Sequence, residues 1–333
     1  MRKFLFWLLV IGIAVLGFFY FTSLNAKADE AKAPVVMTGS NSGTYFGTFG
    51  PKVAELLQNR KFKHIVAESA GAGENYLDVC ANPRDVGLGQ ADILPGLAAA
   101  HPDCAGKVQV VNTIGAECLF GVTSVTDMTN IDQVADISFN LTIAVPPEGS
   151  GARLTWQNLI KTVPNLADAT IIDAKSAADA IDLVKQGQAD MAMFVSFPDP
   201  DNKIFKTVND AKLTFVDMSN EAILQQTLPD GNFTYDRLPV TVANAGWKVW
   251  KGSNMVETAC TKTVIFTGVP AANDRFQTTL VKMLSEAEPK ELQPQVGWLQ
   301  SVMNSAADTS RDKMLAAAQA AKQFAEEHGV TLN

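Results

Sequence analysis

The fold is decided by residues 37–57, MTGSNSGTYFGTFGPKVAELL. The apolar residues 35–37 predict a strand, and Val53, Leu56 and Leu57 recur at the spacing of a helix after the Gly/Ser-rich turn. Such a turn brings backbone N–H groups without intrahelical partners to the positive end of a helix dipole, which favours an anion. An ordinary strand–turn–helix unit with a good N-cap is the alternative. The turn lacks the spacing of a P-loop or of a dinucleotide site, so a nucleotide is not the favoured ligand.

The composition is that of a globular protein with room for more than one hydrophobic core. The chain has 333 residues, of which 47% are hydrophobic and 19% charged, and its formal net charge is -8. A chain of this length is long enough for two core-containing domains. The acidic residues are dispersed, and a clustered basic face is missing, so we predict no nucleic-acid partner.

The N-terminal residues 1–28 have the pattern of an export signal. Arg2 and Lys3 precede an unbroken apolar run at 4–21, and Ala26-Lys27-Ala28 supplies a small-residue cleavage site. We predict a secretory signal peptide cut after Ala28. The apolar run is also just long enough to span a bilayer, so a retained signal anchor is the alternative. In either case the rest of the chain is expected outside the cytoplasm, in the periplasm or an equivalent compartment.

Strand and helix patterns alternate along most of the chain. This rhythm predicts an α/β fold of two lobes, each a doubly wound, mostly parallel sheet, with additional C-terminal helices. Two short strands are expected at 108–114 and 118–123, joined by Gly115-Ala116-Glu117. We divide the chain into the signal peptide or anchor at 1–28, a first lobe at 35–124, a second lobe at 125–250, and a return strand of the first lobe with C-terminal helices at 251–333.

The four cysteines are expected to form disulfides, because an exported chain folds in an oxidising compartment. Four cysteines permit three pairings, which a sequence cannot distinguish. We favour Cys80–Cys104, which flank a short helical unit, and Cys118–Cys260, which lie in or beside strand-like runs. Four free, buried thiols are the alternative. There is no CxxC pair and the three histidines are scattered, so no metal site is predicted.

Catalytic motifs are missing from the sequence. It has no GxSxG elbow, no HExxH and no cysteine with an evident histidine partner, so we predict neither an enzyme nor a cofactor. Polar turns at the ends of strands remain, where open α/β sheets bind their ligands. Arg153 is the cation placed to meet a carboxylate, although a surface arginine is the alternative. The expected ligand-binding residues are Ser42, Thr44, Tyr45, Ser69, Gly71, Gln90, Ser150, Gly151, Arg153, Phe194 and Ser196.

Five segments of the chain resemble motifs of one family of receptors. They are residues 42–46 (SGTYF), 67–75 (AESAGAGEN), 86–92 (VGLGQAD), 145–152 (VPPEGSGA) and 189–195 (ADMAMFV). On these segments the chain resembles the TAXI-type solute-binding subunits of TRAP transporters. That resemblance implies a type II periplasmic-binding-protein fold.

The resemblance also implies a function. We expect a monomeric extracytoplasmic receptor that closes its lobes on a small carboxylate solute, such as glutamate, glutamine or a dicarboxylate, and presents it to a TRAP-type membrane permease. The helix N-termini at Thr44 and Ser150 would bind the carboxylate with charge from Arg153, while Ser69 and Gln90 would bind the other polar groups. Two alternatives stay open: a membrane-anchored ligand-sensing or scaffold domain without a transport role, and an enzyme on the same fold.

Overall fold

One continuous sheet runs through the whole described part of the protein. The structure, a computed structural model, describes residues 33–40, 43, 45–199, 202–242 and 255–292. The predictions for residues 1–28, for Ser42 and Thr44, and for the C-terminal helices beyond 292 therefore lie outside the described residues. Within the described ranges, no helix combines the length and the apolar character needed to cross a bilayer.

The sheet has 10 strands. They are β1 (Val35–Met37), β2 (Ile65–Ala67), β3 (Val86–Gln90), β4 (Val108–Thr123), β5 (Thr142–Val145), β6 (Thr170–Asp173), β7 (Met191–Ser196), β8 (Thr214–Val216), β9 (Asp236–Thr241) and β10 (Met255–Gly268). The strands follow one another in the order β2-β1-β3-β10-β4-β7-β5-β6, with β8 paired to β4 and β9 paired to β10.

Ten α-helices, within the described residues, connect and cover these strands. They are α1 (Gly50–Asn59), α2 (Ala72–Ala81), α3 (Leu94–Ala100), α4 (Ile131–Ile137), α5 (Gly151–Thr162), α6 (Ala177–Lys185), α7 (Lys203–Asp210), α8 (Glu221–Leu224), α9 (Arg275–Ser285) and α10 (Pro289–Leu292). A π-helical turn at Tyr45–Phe49 precedes α1, and 3-10 turns lie at Pro102–Cys104, Ser138–Asn140 and Pro164–Asp168.

Each end of the sheet is parallel, as the alternation of strands and helices predicts. In the first lobe β1 pairs in parallel with β2 and β3, and in the second lobe β5 pairs in parallel with β6 and β7. The mixed α/β, two-lobed fold class is therefore confirmed. The lobe boundaries at 124/125 and 250/251 stay a prediction.

Two long antiparallel strands, β4 and β10, join the lobes. The first part of β4 pairs with the end of β10, and its last part pairs with β7 and β8. The prediction of separate strands at 108–114 and 118–123 is wrong, because a single strand continues through Gly115, where glycine accommodates a φ of 153°. The pairing of β4 with β10 absorbs its irregularity by shifts of register at Thr263/Val264 and Ile265/Phe266.

One disulfide closes a loop between residues 24 apart in sequence, and the other links residues 142 apart. The structure pairs Cys80 with Cys104, with Cα atoms 5.5 Å apart, and Cys118 with Cys260, with Cα atoms 3.9 Å apart. The second bond joins directly opposed residues of β4 and β10. It therefore ties together the two strands that connect the lobes.

The hydrophobic core is divided between the lobes and, in the second lobe, between the faces of the sheet. Successive residues of β7 show this alternation. Met191 and Met193 pack in a cluster with Trp156, whereas Phe194 packs on the opposite face, stacked on Phe120 with ring centroids 5.6 Å apart. A strand buried on both faces reads as a continuous apolar run, which is why residues 191–195 carry no polar alternation.

Candidate functional site

A cleft of about 210 Å³ lies where the two lobes face each other. Its lining is drawn from loops that follow strands of both lobes, as expected for an open α/β sheet. The residues that form it are Gly39, Ser40, Gly43, Tyr45, Ala70, Gly71, Ala72, Gln90 and Glu117 from the first lobe or β4, and Pro146, Pro147, Ser150, Gly151, Ala152, Lys175, Ser176, Ala177, Ala178, Phe194, Val195, Ser196, Asn202 and Ile204 from the second.

Three helices begin at this cleft: α2, α5 and α6. Ser150 caps α5, since its Oγ accepts a hydrogen bond of 3.2 Å from the N–H of Arg153. Ser176 caps α6 in the same way, through a 3.2 Å hydrogen bond from the N–H of Asp179. At the start of α2 the cap is Gly71, whose φ of 134° favours a residue without a β-carbon. The positive ends of three helix dipoles thus meet around one space.

The lobes touch at the rim of the cleft. The N–H of Gly73 donates a hydrogen bond of 3.1 Å to the carbonyl of Gly149. A β-carbon at Gly71 would lie 3.0 Å from Cα of Ser150, so the small residues at this point let the two backbones approach. The structure is therefore a closed arrangement of the lobes.

Gln90 lies at the end of β3 and reaches across to the second lobe. It is 2% exposed, and its Oε1 has no hydrogen-bond partner among the described residues. Its side-chain amide packs directly against Gly151. The conformation leaves a buried acceptor beside the N-terminus of α5, where a ligand can supply the missing donor.

Glu117 is a buried acid at the cleft. It lies on β4 and is 3% exposed, and its Oε2 has no hydrogen-bond partner in the described chain. Burial raises the pKa of Glu117 to about 7; the neighbouring hydroxyls of Tyr45 and Thr263 lower it, and the charge of Asp92 raises it further. Burial, together with the charge of Glu117, also raises the pKa of Tyr45 well above its ordinary value.

Asp92, two residues after the end of β3, forms hydrogen bonds with residues of the second lobe. Its Oδ2 accepts hydrogen bonds of 2.7 Å from the hydroxyl of Thr155 in α5 and of 2.8 Å from the hydroxyl of Tyr235, and its carbonyl accepts one of 2.8 Å from Asn158. Burial raises the pKa of Asp92 to about 6, although the hydrogen bonds from Thr155 and Tyr235 lower it. The network holds the start of α5 against the end of β3.

The structure brings seven of the eleven ligand-binding residues expected from the sequence to the cleft. They are Tyr45, Gly71, Gln90, Ser150, Gly151, Phe194 and Ser196. The hydroxyl of Ser196 accepts a 2.7 Å hydrogen bond from Asn202. Phe194 contributes little surface, since its ring is buried against Phe120. Ser42 and Thr44 lie outside the described residues.

The other two expected residues have different partners. Ser69 does not line the cleft: its hydroxyl donates a 2.6 Å hydrogen bond to Asn75 and accepts one from the N–H of Gly71, so it shapes the start of α2. Arg153 is 8% exposed, forms an ion pair with Asp173 and does not line the cleft either. Its Nε is buried without a partner among the described residues.

Sequence reasoning missed Glu117, Lys175 and Asn202. An acidic residue inside the apolar run around Cys118 was one available signal, because a charged side chain in such a run is rarely buried without a reason. The strand, polar turn and capped helix at 170–185 repeat the pattern of the first unit, which was the signal for Lys175. No sequence signal pointed to Asn202, because only the tertiary fold brings its loop beside Ser196.

One group of potential metal ligands comes together in the part of the chain that the structure describes. It consists of Cys80, Asp103 and Cys104. The two cysteines are bonded to each other, so neither offers the thiolate that a metal requires. This group lies apart from the cleft and indicates no metal centre.

A protein-family model matches almost the whole chain. The model of a family described as the NMT1-like family matches residues 36–329. No protein of curated function matches the sequence. Among solved structures, one described as a periplasmic transporter is 12% identical with a TM-score of 0.47, over 83% of this chain and 92% of that one.

Two further solved structures are similar in fold. The periplasmic binding protein BugD is 15% identical with a TM-score of 0.46, over 78% of this chain and 84% of that one. The ligand-binding core of GluR0 in complex with L-glutamate is 13% identical with a TM-score of 0.46, over 76% of this chain and 90% of that one. At such identities the similarity concerns the fold and says nothing of the ligand.

Proposed function

The chain belongs to the NMT1-like family, and on this premise we propose that it is an extracytoplasmic receptor that captures a small carboxylate solute between its lobes. The chain is a solute-binding domain of periplasmic-binding-protein type. The resemblance to TAXI-type subunits supports the more specific proposal that it delivers the solute to a TRAP-type permease.

The observation that carries the proposal is the convergence of three helix N-termini on one cleft. Backbone N–H groups in the first turns of α2, α5 and α6 lack intrahelical partners, and the helix dipoles point their positive ends at the same space. Lys175 adds a positive charge at the cleft beside the cap of α6. This arrangement favours an anion with several acceptor oxygens, such as a carboxylate.

The size of the cleft supports a small solute. Its volume of about 210 Å³ is below the roughly 300–1,000 Å³ of pockets that hold drug-sized ligands. Because residues of both lobes line it, a solute that contacts both stabilises the closed form, which is the differential affinity that drives lobe closure. In this scheme Gly151 binds the carboxylate with its backbone N–H group and Ser150 with its hydroxyl, since the N–H of Ser150 donates to the carbonyl of Pro147. Ser42 and Thr44 stay the residues expected to bind it from the first lobe.

Two positive charges are candidates to neutralise the carboxylate. Lys175 lines the cleft, whereas Arg153 would first have to exchange its ion pair with Asp173 for the solute. Lys175→Gln, Arg153→Ala and the control Lys161→Gln, which removes an exposed charge at the other end of α5, separate them. The role of Arg153 is rejected if Arg153→Ala leaves the affinity unchanged.

The proposal is tested by native mass spectrometry of the protein purified from its own host, followed by calorimetric titration with a panel of small carboxylates. We expect one carboxylate to bind stoichiometrically and to raise the melting temperature. Lys175→Gln should weaken that binding by roughly three- to tenfold, and Lys161→Gln should not. A protein that binds no carboxylate, or whose bound solute carries none, contradicts the proposal.

A further inference from the structure

Glu117 is a carboxylate without a counter-charge in the part of the chain that the structure describes. No ion pair joins it to a basic residue there, and its Oε2 has no hydrogen-bond partner. Its neighbours are the hydroxyl of Tyr45 from the first lobe, the hydroxyl of Thr263 from β10 and the carboxylate of Asp92 after β3. A buried carboxylate in such surroundings is destabilising unless something supplies positive charge and donors.

Two more residues of the cleft have an unpartnered buried oxygen: Gln90, at Oε1, and Tyr45, at its hydroxyl. Glu117 and Gln90 both line the same space, so a ligand there contacts both residues. The starts of α5, which is in contact with Gln90, and of α6 line the same space and offer N–H donors and Lys175. The cleft therefore combines unpartnered acceptors with N–H donors and Lys175.

Resting on the proposed function, we propose that Glu117 binds a cationic donor group of the solute and thereby determines its class. The solute is a zwitterion such as an α-amino acid, with its carboxylate at the helix N-termini and its ammonium against Glu117 and Gln90. An ammonium group has three donors and one positive charge, which match the two acceptors and the buried negative charge. The hydroxyls of Tyr45 and Thr263, which have no hydrogen-bond partner in the described chain, lie near this carboxylate.

A dicarboxylate is the competing solute. It would need a protonated Glu117 that donates a hydrogen bond to the second carboxylate. That arrangement leaves Oε1 of Gln90 without a donor and brings a second negative charge near Asp92, whose charge already acts on Glu117. Both features favour the cationic donor over the second carboxylate.

The two solutes predict opposite pH dependences. Glu117 has a pKa of about 7 in the protein without solute. An ammonium lowers that pKa, so binding releases a proton and the affinity rises with pH between about 6 and 8, by at most tenfold per pH unit. A second carboxylate requires the proton, so its affinity falls over the same range. Of the groups that face Glu117, Tyr45 stays neutral throughout, and Asp92, with a pKa of about 6, titrates at the lower limit.

The experiment compares matched pairs of probes by calorimetric titration: each L-α-amino acid against the carboxylic and 2-oxo acids that share its side chain. We expect one amino acid to bind at least 30-fold more tightly than its partners without the amino group, with an affinity that rises from pH 6.5 to 8. Glu117→Gln should remove that preference and the pH slope. The control Glu257→Gln, which removes an exposed charge from β10, should keep both.

The outcomes separate this inference from the proposed function. If a partner without the amino group binds as tightly as the amino acid, the inference is overturned and the receptor function stands. If no carboxylate of the panel binds, the receptor function itself fails and the inference falls with it. Should Glu117→Gln not fold, the pH slope of the unmodified protein decides, since an affinity that falls with rising pH contradicts an ammonium at Glu117.

Discussion

Gly151 lies so close to the side-chain amide of Gln90 that a β-carbon at position 151 would overlap it. The two residues belong to different lobes, so their contact exists only when the lobes are closed. Because Gln90 is buried and Gly151 begins α5, the amide has little room to move away. Closure thus depends on a glycine at this position.

We expect Gly151→Ala to weaken solute binding at least tenfold, about 1.4 kcal/mol, because the added methyl group displaces Gln90 or holds the lobes apart. Stability should change little, since alanine is favourable in a helix. Calorimetric titration and thermal unfolding measure the two effects. Gly96→Ala is the control: its β-carbon would meet nothing closer than 3.8 Å, inside α3. Unchanged affinity in Gly151→Ala would show that the solute-bound form lacks this contact.

The hydrogen bond from Tyr235 to Asp92 is expected to stabilise the closed lobes. Tyr235→Phe removes the donor and leaves a buried carboxylate with one side-chain partner, Thr155. The free energy of unfolding at pH 8 should fall by about 1–3 kcal/mol. Urea unfolding measures it, and Tyr76→Phe is the matched control, since burial and the charge of Asp103, and no hydrogen bond, raise the pKa of that hydroxyl. Equal losses in both variants would contradict the role of Asp92.

Glu117 should make the protein less stable as the pH rises. Its pKa is about 7 in the folded state and 4.5 in the unfolded chain, so between these values the folded state binds more protons. Stability therefore falls from about pH 4.5 to 7, by roughly 3 kcal/mol for this group. Glu117→Gln should be more stable than the unmodified protein at pH 8, by about 1–3 kcal/mol, and similar to it at pH 4.5.

This dependence is read from urea unfolding without solute at a series of pH values. Glu257→Gln again serves as the control, because it removes an exposed carboxylate. Parallel curves for Glu117→Gln and the unmodified protein would mean that Glu117 is not buried as an unpaired acid. If Glu117→Gln gains stability and loses binding, Glu117 is a residue retained for function at a cost in stability.

The two disulfides should differ in their effect on stability. Cys118 and Cys260 are 142 residues apart in sequence, whereas Cys80 and Cys104 are 24 apart. The entropy of loop closure predicts losses of roughly 5 and 3 kcal/mol when each pair is replaced by alanine. Urea unfolding of the two double variants measures the difference, each variant being the control for the other. A larger loss for Cys80 and Cys104 would contradict this expectation.

The sequence alone determined the local units of the fold. The apolar run at Val86–Gln90 and the cap at Ser176 depend on neighbouring residues, and both elements lie where the pattern predicts them. Gly71 and Ser150 were predicted from the same kind of pattern, since a helix N-terminus after a strand is a local feature. Of the seven expected residues at the cleft, Gly71, Ser150 and Gly151 lie at helix starts, and Gln90, Phe194 and Ser196 lie in strands.

Only the tertiary structure decided which of these units meet, and which strands join them. β4 continues through Gly115 because β10, more than 100 residues later, pairs along its length; no local signal reports that pairing. Glu117 became part of the cleft for the same reason, and Arg153 became the partner of Asp173 instead. Helix starts follow from residues a few positions apart, whereas the charge balance of a cleft depends on side chains that the fold brings together from distant parts of the chain.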